Sequence, residues 1–94
     1  MDSGVEVTRR RVVVYGLVQG VFFRDTCRRL AAADGVGGWV SNRPDGSVEA
    51  VFEGHPRAVE RMVSWAREGP PYARVDAVDV TVEPPQGEPA FRIR

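Results

Sequence analysis

Residues 9–31 read RRRVVVYGLVQGVFFRDTCRRLA, and the spacing of the apolar residues changes once within this stretch. The first part is β-branched and has the length of a strand, and Gly16 and Gly20 bound the break that follows it. After the break, apolar residues recur at helical spacing, at Phe23, Cys27, Leu30 and Ala31. The stretch therefore predicts a strand, a glycine-bounded loop and a helix in direct succession.

The same two periods recur along the rest of the chain. The predicted elements are a strand over 36–42, a strand around 48–52, a helix from Pro56 to just before Gly69, a strand around 78–82 and a short strand at 91–93. The order β-α-β-β-α-β, with right-handed crossovers, predicts an α+β fold of the ferredoxin-like, split βαβ type. We expect an antiparallel sheet with two helices on one face and a short extra C-terminal strand.

Length and composition indicate one domain, residues 9–94, behind an N-terminal tail, residues 1–8, that we expect to be flexible because it has no pattern. No apolar run approaches the roughly 20 residues of a membrane span, and the N-terminus lacks the features of a signal peptide. A single cysteine, Cys27, leaves no internal disulfide to form. These features predict a cytoplasmic protein without a membrane partner. No long apolar surface stripe is evident, so we expect a monomer.

The charge of the chain argues against a nucleic-acid partner. Its net charge is zero, although all 13 of its Lys and Arg residues are Arg, and proteins that grip nucleic acid usually carry an excess of cations. Three of these cations are consecutive, Arg9 to Arg11. In a strand they are expected to form an exposed sheet edge that discourages aggregation; a basic arm is the alternative.

The loop Gly16–Arg24 is the segment best suited to chemistry. N–H groups in the first turn of a helix have no partner within the helix, and a glycine-bearing loop can turn further N–H groups in the same direction. Together with the helix dipole they form a candidate anion site, to which Arg24 adds a planar fork that fits phosphate. On this pattern alone, a plain strand-to-helix connection with a solvated Arg24 stays open.

A second candidate, Asn42, ends the strand over 36–42. In the predicted fold this strand is parallel to the first strand, so Asn42 is expected at the sheet edge that carries the Gly16–Arg24 loop. An amide can donate to one oxygen and accept from a water; a simple turn residue is the alternative reading. Of the other reactive side chains, His55 is expected in a surface loop and Cys27 in the core, and no metal-ligand spacing is present.

Two segments resemble the acylphosphatase family. Gly16–Arg24, GLVQGVFFR, resembles the family signature G-x-V-Q-G-V-x-F-R at every fixed position. Gly38–Asn42, GWVSN, resembles the second signature, G-W-V-x-N, and residues 45–49, DGSVE, resemble its continuation. The resemblance extends over about residues 10–94; Gly37 and the tail are the departures from it.

The resemblance implies a hydrolase that converts an acyl phosphate and water to a carboxylate and inorganic phosphate, without metal or cofactor. The resemblance further implies that Arg24 and the backbone amides of a loop bind the phosphate and that Asn42 orients the water. The substrate's own phosphate would then take the water's proton. The loop residues are Leu17, Val18, Gln19, Gly20, Val21 and Phe22. The alternatives are a non-catalytic ferredoxin-like binding module and a carbamoyl phosphate-processing domain, which is expected in a much longer chain.

Overall fold

Seven elements follow one another in the predicted order. The computed structural model describes residues 6–94. The seven elements are β1 (Thr8–Leu17), α1 (Phe23–Ala33), β2 (Gly37–Asn42), β3 (Val48–Gly54), α2 (Pro56–Glu68), β4 (Arg74–Glu83) and β5 (Phe91–Ile93). The five strands form one sheet in the order β4-β1-β3-β2-β5. The α+β, ferredoxin-like sandwich with an extra C-terminal strand is confirmed. Most of the tail predicted over residues 1–8 lies outside the described residues, and Thr8 is already part of β1.

The sheet topology brings two strand ends to one edge. β1 and β2 both pair antiparallel with β3, so they run parallel to each other. Val14 of β1 and Asn42 of β2 are both paired with Val48, one from each side. The four strands of the sandwich are antiparallel, as predicted, whereas β5 pairs parallel with β2 and makes the whole sheet mixed. The edge where β1 and β2 end therefore carries the loop that leads into α1.

One face of the sheet packs against both helices. Val12, Val14 and Phe52 face the helices and are fully buried. The helices contribute the residues Phe23, Cys27, Ala31, Ala58, Val59, Met62 and Ala66 to the same core. Phe23 of α1 also contacts Trp65 of α2, with 4.9 Å between the ring centroids. The core thus fixes the start of α1, because Phe23 is the first residue of that helix.

Leu30 is less buried than the other residues of the apolar stripe predicted for α1. Leu30 is 39% exposed, whereas Cys27 and Ala31 of the same stripe are fully buried. The contact of α1 with the sheet is narrower than its apolar stripe, and Leu30 lies at the outer margin beside Trp65 and Met62. Cys27 lies in the core, as predicted, and burial raises the pKa of its thiol.

The prediction that Arg9 lies on an exposed edge of the sheet is wrong. β1 lies between β4 and β3, so it is not an edge strand, and Arg9 is only 2% exposed. Its guanidinium donates to Glu83 Oε1 (2.9 Å), Glu53 Oε1 (2.9 Å) and Glu88 Oε2 (3.1 Å). The register explains this, because Arg9 is directly opposite Glu53 on one side and Glu83 on the other. Oppositely charged cross-strand pairs stabilise a sheet, and here they let a cation be buried.

Glu53 connects this ion cluster to the loop between β4 and β5. Its carboxylate accepts hydrogen bonds from the backbone N–H groups of Gln86 (2.9 Å), Gly87 (2.6 Å) and Glu88 (3.1 Å). Burial by itself would raise the pKa of Glu53, but these N–H groups and Arg9 outweigh it, and the pKa lies below its ordinary value. The loop held in this way leads the chain across the sheet to β5.

We expect Glu53→Gln to lower the free energy of unfolding by roughly 2–3 kcal/mol at neutral pH. The amide removes the negative charge that compensates Arg9, and its own N–H group faces donors that the carboxylate accepted from. A carboxylate whose pKa is lowered by folding stabilises the protein above its ordinary pKa, and this contribution disappears as the pH falls through the folded-state pKa. The difference between wild type and variant should therefore shrink in acid. Urea unfolding at several pH values measures it.

Glu60→Gln, at an exposed position of α2, is the matched control and should be close to wild type throughout. A wild type–Glu53→Gln difference that stays constant between neutral and acid pH would contradict the role of the Glu53 charge.

Candidate active site

A cavity of about 360 Å³ lies at the edge where β1 and β2 end and α1 begins. Its lining residues come from the loop, the first turn of α1, the end of β2 and β5, and are Val18, Gly20, Phe22, Phe23, Arg24, Asp25, Asn42 and Ile93. Arg24 and Asn42, which are 18 positions apart in the sequence, therefore share one cavity. The parallel arrangement of β1 and β2 is what brings them together.

The helix at this cavity begins without a side-chain cap. Its N-cap residue is Phe22, which has φ 67° and ψ 24° and makes no capping hydrogen bond. Ser, Thr, Asp and Asn are strongly preferred at this position, where their side chains satisfy one of the first N–H groups. Gly20, two residues earlier, also has a positive φ of 75°. A loop with left-handed residues ahead of an uncapped helix is of the kind that binds anions through backbone N–H groups.

The left-handed conformation of Phe22 is unusual. Among residues 6–94 it is the one non-glycine residue with positive φ. For an L-residue with a large side chain this conformation costs about 1 kcal/mol or more, and such strain concentrates at functional sites. Phe22 is also 69% exposed, so core packing does not explain why it is held there.

Gln19 connects the loop to the turn that follows Asn42. Its Nε2 donates to the carbonyl oxygens of Arg43 (2.8 Å) and Ser47 (2.9 Å). The turn is closed by its own backbone, since Arg43 N–H donates to Ser47 O (2.8 Å) and Gly46 N–H to Arg43 O (3.1 Å). The Gln19 side chain does not line the cavity. Instead it holds the loop and the end of β2 in a fixed relation.

The Asn42 side chain has an unsatisfied acceptor. Its Oδ1 is buried, and no group within residues 6–94 donates a hydrogen bond to it. A buried acceptor without a partner costs about 1–3 kcal/mol, and in native proteins such groups are usually satisfied by an ordered water or a ligand. Asn42 also lines the cavity, so this unsatisfied acceptor belongs to a side chain that borders it.

Arg24 is exposed in the first turn of α1, and its charge is uncompensated. Among the described residues no carboxylate comes within ion-pair distance of its guanidinium. Asp25, which also lines the cavity, is instead paired with Arg29 (3.1 Å) and Arg28 (3.8 Å) on the next turn. The cavity thus combines a free cation, a helix N-terminus and a neutral acceptor, a set suited to an anion and a water.

The six residues predicted for the loop divide into two groups. Val18, Gly20 and Phe22 line the cavity. Leu17 is half exposed as the last residue of β1, Val21 is buried in the core, and Gln19 reaches the β2–β3 turn. Sequence reasoning missed three lining residues, Phe23, Asp25 and Ile93. Ile93 reaches the cavity because β5 pairs with β2, where Val40 is opposite Ile93, and no local pattern indicates that pairing.

The remaining reactive side chains lie elsewhere. His55 caps α2, where its Nδ1 accepts from Arg57 N–H (3.2 Å). Within the part of the chain that the structure describes, no three His, Cys, Asp or Glu side chains are grouped to hold a metal ion. Nor does any helix in residues 6–94 have both the length and the apolar character to cross a bilayer. The polar side chains that line the cavity are therefore Arg24, Asn42 and Asp25, of which Asp25 is already paired with Arg28 and Arg29.

The sequence and the fold are similar to those of known acylphosphatases. The acylphosphatase family model matches residues 10–93. A curated acylphosphatase from Rubrobacter xylanophilus is 56% identical over 87 residues, which cover 93% of this chain and 79% of the relative. The solved acylphosphatase structure from Coxiella burnetii is 35% identical, with a TM-score of 0.92 and coverage of 99% of this chain and 100% of that one. The solved acylphosphatase structure from Bacillus subtilis is 35% identical, with a TM-score of 0.88 and coverage of 93% of this chain and 98% of that one. The chain therefore belongs to the acylphosphatase family.

Proposed function

We propose that this acylphosphatase cleaves the carboxyl–phosphate bond of acyl phosphates with Arg24 holding the phosphate and Asn42 placing the attacking water. The observation that carries the proposal is that Arg24 and Asn42 line one cavity and that Asn42 has an acceptor, Oδ1, that no described group satisfies. An acceptor at this position fits a water better than an anionic phosphate, whose oxygens are themselves acceptors. The phosphate then belongs on the side of Arg24 and the helix N-terminus.

The phosphate is bound by backbone and side chain together. The uncapped N–H groups at the start of α1 and the loop from Leu17 to Phe22 supply neutral donors, and Arg24 supplies a bidentate cation. Negative charge is redistributed over the phosphoryl oxygens during transfer, so donors fixed in advance stabilise the transition state. The two hydrogen bonds of Gln19 support this arrangement, because they hold the loop against the turn beside Asn42.

The water is oriented by Asn42. When the water donates one hydrogen to Oδ1 of Asn42, a lone pair of the water oxygen is free to attack the phosphorus atom. A new P–O bond forms as the bond between phosphorus and the acyl oxygen breaks, and the carboxylate leaves. Positioning of this kind can supply a large share of the rate enhancement when the leaving group is good, as a carboxylate is.

The proton of the water passes to an oxygen of the transferred phosphate. The cavity offers one carboxylate, Asp25, and it is engaged with Arg28 and Arg29. A carboxylate leaving group needs no proton from an acid at neutral pH, because it is a weak base. The reaction as proposed therefore uses neither a general base from the protein nor a metal or cofactor. We also propose that the enzyme acts as a monomer in the cytoplasm and binds no nucleic acid.

We expect the purified chain to hydrolyse benzoyl phosphate at the same rate in excess EDTA as in added Mg²⁺ or Zn²⁺, because the proposed chemistry uses only side chains and backbone N–H groups. Inorganic phosphate and sulfate should inhibit competitively, since both are anions that fit the proposed phosphate site at the start of α1. Initial rates at several substrate, phosphate and sulfate concentrations measure both expectations.

A loss of rate in EDTA that divalent ions restore would overturn the metal-free mechanism. Binding of phosphate without any turnover would favour the alternative of a non-catalytic binding module.

A further inference from the structure

The turn between β2 and β3 is fixed from two sides. On one side, Gln19 donates to the carbonyl oxygens of Arg43 and Ser47. On the other side, Oδ1 of Asp45 accepts two hydrogen bonds from Ser47, one from its backbone N–H (2.9 Å) and one from its hydroxyl (2.5 Å). Ser47 is only 2% exposed, so the two sets of hydrogen bonds meet at a buried residue. The turn is therefore held by side chains as well as by its own backbone.

Asn42 depends on this turn for its position. No described group donates to its Oδ1, so no hydrogen bond at that atom holds the side chain in place. Its backbone is fixed by the pairing with Val48 across β2 and β3. The next pair of residues closes the turn, since Arg43 N–H donates to Ser47 O (2.8 Å). A shift of Ser47 would therefore reach Asn42 through one hydrogen bond and one peptide bond.

Asp45 is the member of this arrangement that can be replaced without disturbing the core, because it is exposed whereas Ser47 is buried. The hydrogen bonds from the Ser47 hydroxyl and N–H hold the pKa of Asp45 below its ordinary value, so the side chain is a carboxylate at neutral pH. A carboxylate forms stronger hydrogen bonds than a neutral acceptor. Its loss would leave both Ser47 donors without their acceptor and loosen the turn.

We propose that Asp45 is a positioning residue, which acts through Ser47 and the turn to hold Asn42 at the distance from the phosphate-binding loop that water attack requires. This inference rests on the function proposed above, in which Asn42 orients the water. Gln19 holds the loop against the same turn, so Asp45 and Gln19 together fix the separation between the two parts of the site. Because a displacement of about 1 Å at a reacting centre can cost a factor of 10², a contact remote from the reacting atoms can lower kcat measurably.

The test measures kcat for benzoyl phosphate and the competitive inhibition constant of phosphate in variants of Asp45. Asp45→Ala should lower kcat by a factor of roughly 10–100. The inhibition constant should stay within about twofold of wild type, because the proposed phosphate ligands, Arg24 and the N–H groups at the start of α1, are unchanged. Asp45→Asn keeps an acceptor oxygen for Ser47 and should recover most of the lost activity.

A double-mutant cycle shows whether Asp45 acts through Asn42. Once Asn42 is replaced by Ala, Asp45→Ala should lower kcat by less than about twofold, because residues that act as a unit are not additive. A general loosening of the fold would instead lower kcat by the same factor in both backgrounds. Asp79→Ala, which removes a carboxylate from an exposed position of β4, is the matched control and should keep the wild-type kcat.

Asp45→Ala should remain folded, with an unfolding midpoint within about 8 °C of wild type, because an exposed side chain is removed. A loss of kcat that Asp45→Asn restores and that disappears in the Asn42→Ala background supports the positioning role. Equal losses in both backgrounds, no loss in either, or no recovery in Asp45→Asn would overturn it while leaving the hydrolase function intact. If wild type does not hydrolyse benzoyl phosphate, the proposed function itself fails, and the positioning role fails with it.

Discussion

Replacing Arg24 by Ala is expected to lower kcat/KM for benzoyl phosphate by a factor on the order of 10³ or more, which corresponds to several kcal/mol of transition-state stabilisation. The expectation follows from the position of Arg24, in the first turn of α1, at the cavity, with no carboxylate partner among the described residues. Because Arg24 is proposed to hold the phosphate before and during transfer, the variant should also lose most of its affinity for inorganic phosphate. Steady-state kinetics and a phosphate isotherm measure the two effects.

Arg24→Lys tests the geometry of this contact. Lys keeps the charge but not the planar fork, so it should recover only a small part of the lost activity. Arg28→Ala, one turn further along α1, removes the same charge outside the cavity lining and is the matched control. Near-wild-type activity of Arg24→Ala would remove Arg24 from the mechanism.

Replacing Asn42 by Ala is expected to lower kcat by a factor of roughly 10²–10³, the cost of losing one positioned polar group at a reacting centre. The affinity for inorganic phosphate should stay nearly unchanged, because the proposed partner of Asn42 is the water and not the phosphate. This separates the two residues, since Arg24→Ala should lose both turnover and phosphate binding. Single-turnover rates and the phosphate inhibition constant measure the difference.

The stability of Asn42→Ala provides an independent check. Oδ1 accepts no hydrogen bond within residues 6–94, so its removal strands no donor there, and the free energy of unfolding should change by about 1 kcal/mol or less. Ser41→Ala, on the same strand but facing away from the cavity, is the control for local effects on β2. A stable Asn42→Ala variant with wild-type turnover would reduce Asn42 to a turn residue.

Sequence reasoning predicted the elements and the edge of the sheet that carries the site. Strand and helix periods are local properties, and the change of period at Phe23 marks the start of α1 where the structure has it. The Pro44–Gly46 turn separates β2 from β3, since proline and glycine act on the backbone in place. The break predicted at Gly16 does not end β1, which continues to Leu17 with an irregularity in its pairing between Tyr15 and Gly16. From the element order alone, Asn42 is expected beside the loop, and the structure places it there.

Only the tertiary structure decided which side chains face one another. Arg9 belongs to a run of cations that suggests an exposed edge, yet the registers of β1 with β3 and β4 place Glu53 and Glu83 opposite it and bury it. Ile93 reaches the cavity through a parallel pairing with β2 that depends on the course of the chain after β4. Such pairings join residues far apart in the sequence, so the local spacing of apolar and polar residues does not predict them.

The loop shows the same division within one motif. Its residues GLVQGVFFR predicted a candidate anion site followed by a helix, because the conformational freedom of glycine and the unpaired N–H groups of a first helical turn are properties of the local backbone. The left-handed Phe22, the hydrogen bonds of Gln19 across to the β2–β3 turn and the unsatisfied Oδ1 of Asn42 were decided by the folded structure. Each of these depends on which groups packing leaves near one another, and packing is set by the whole chain.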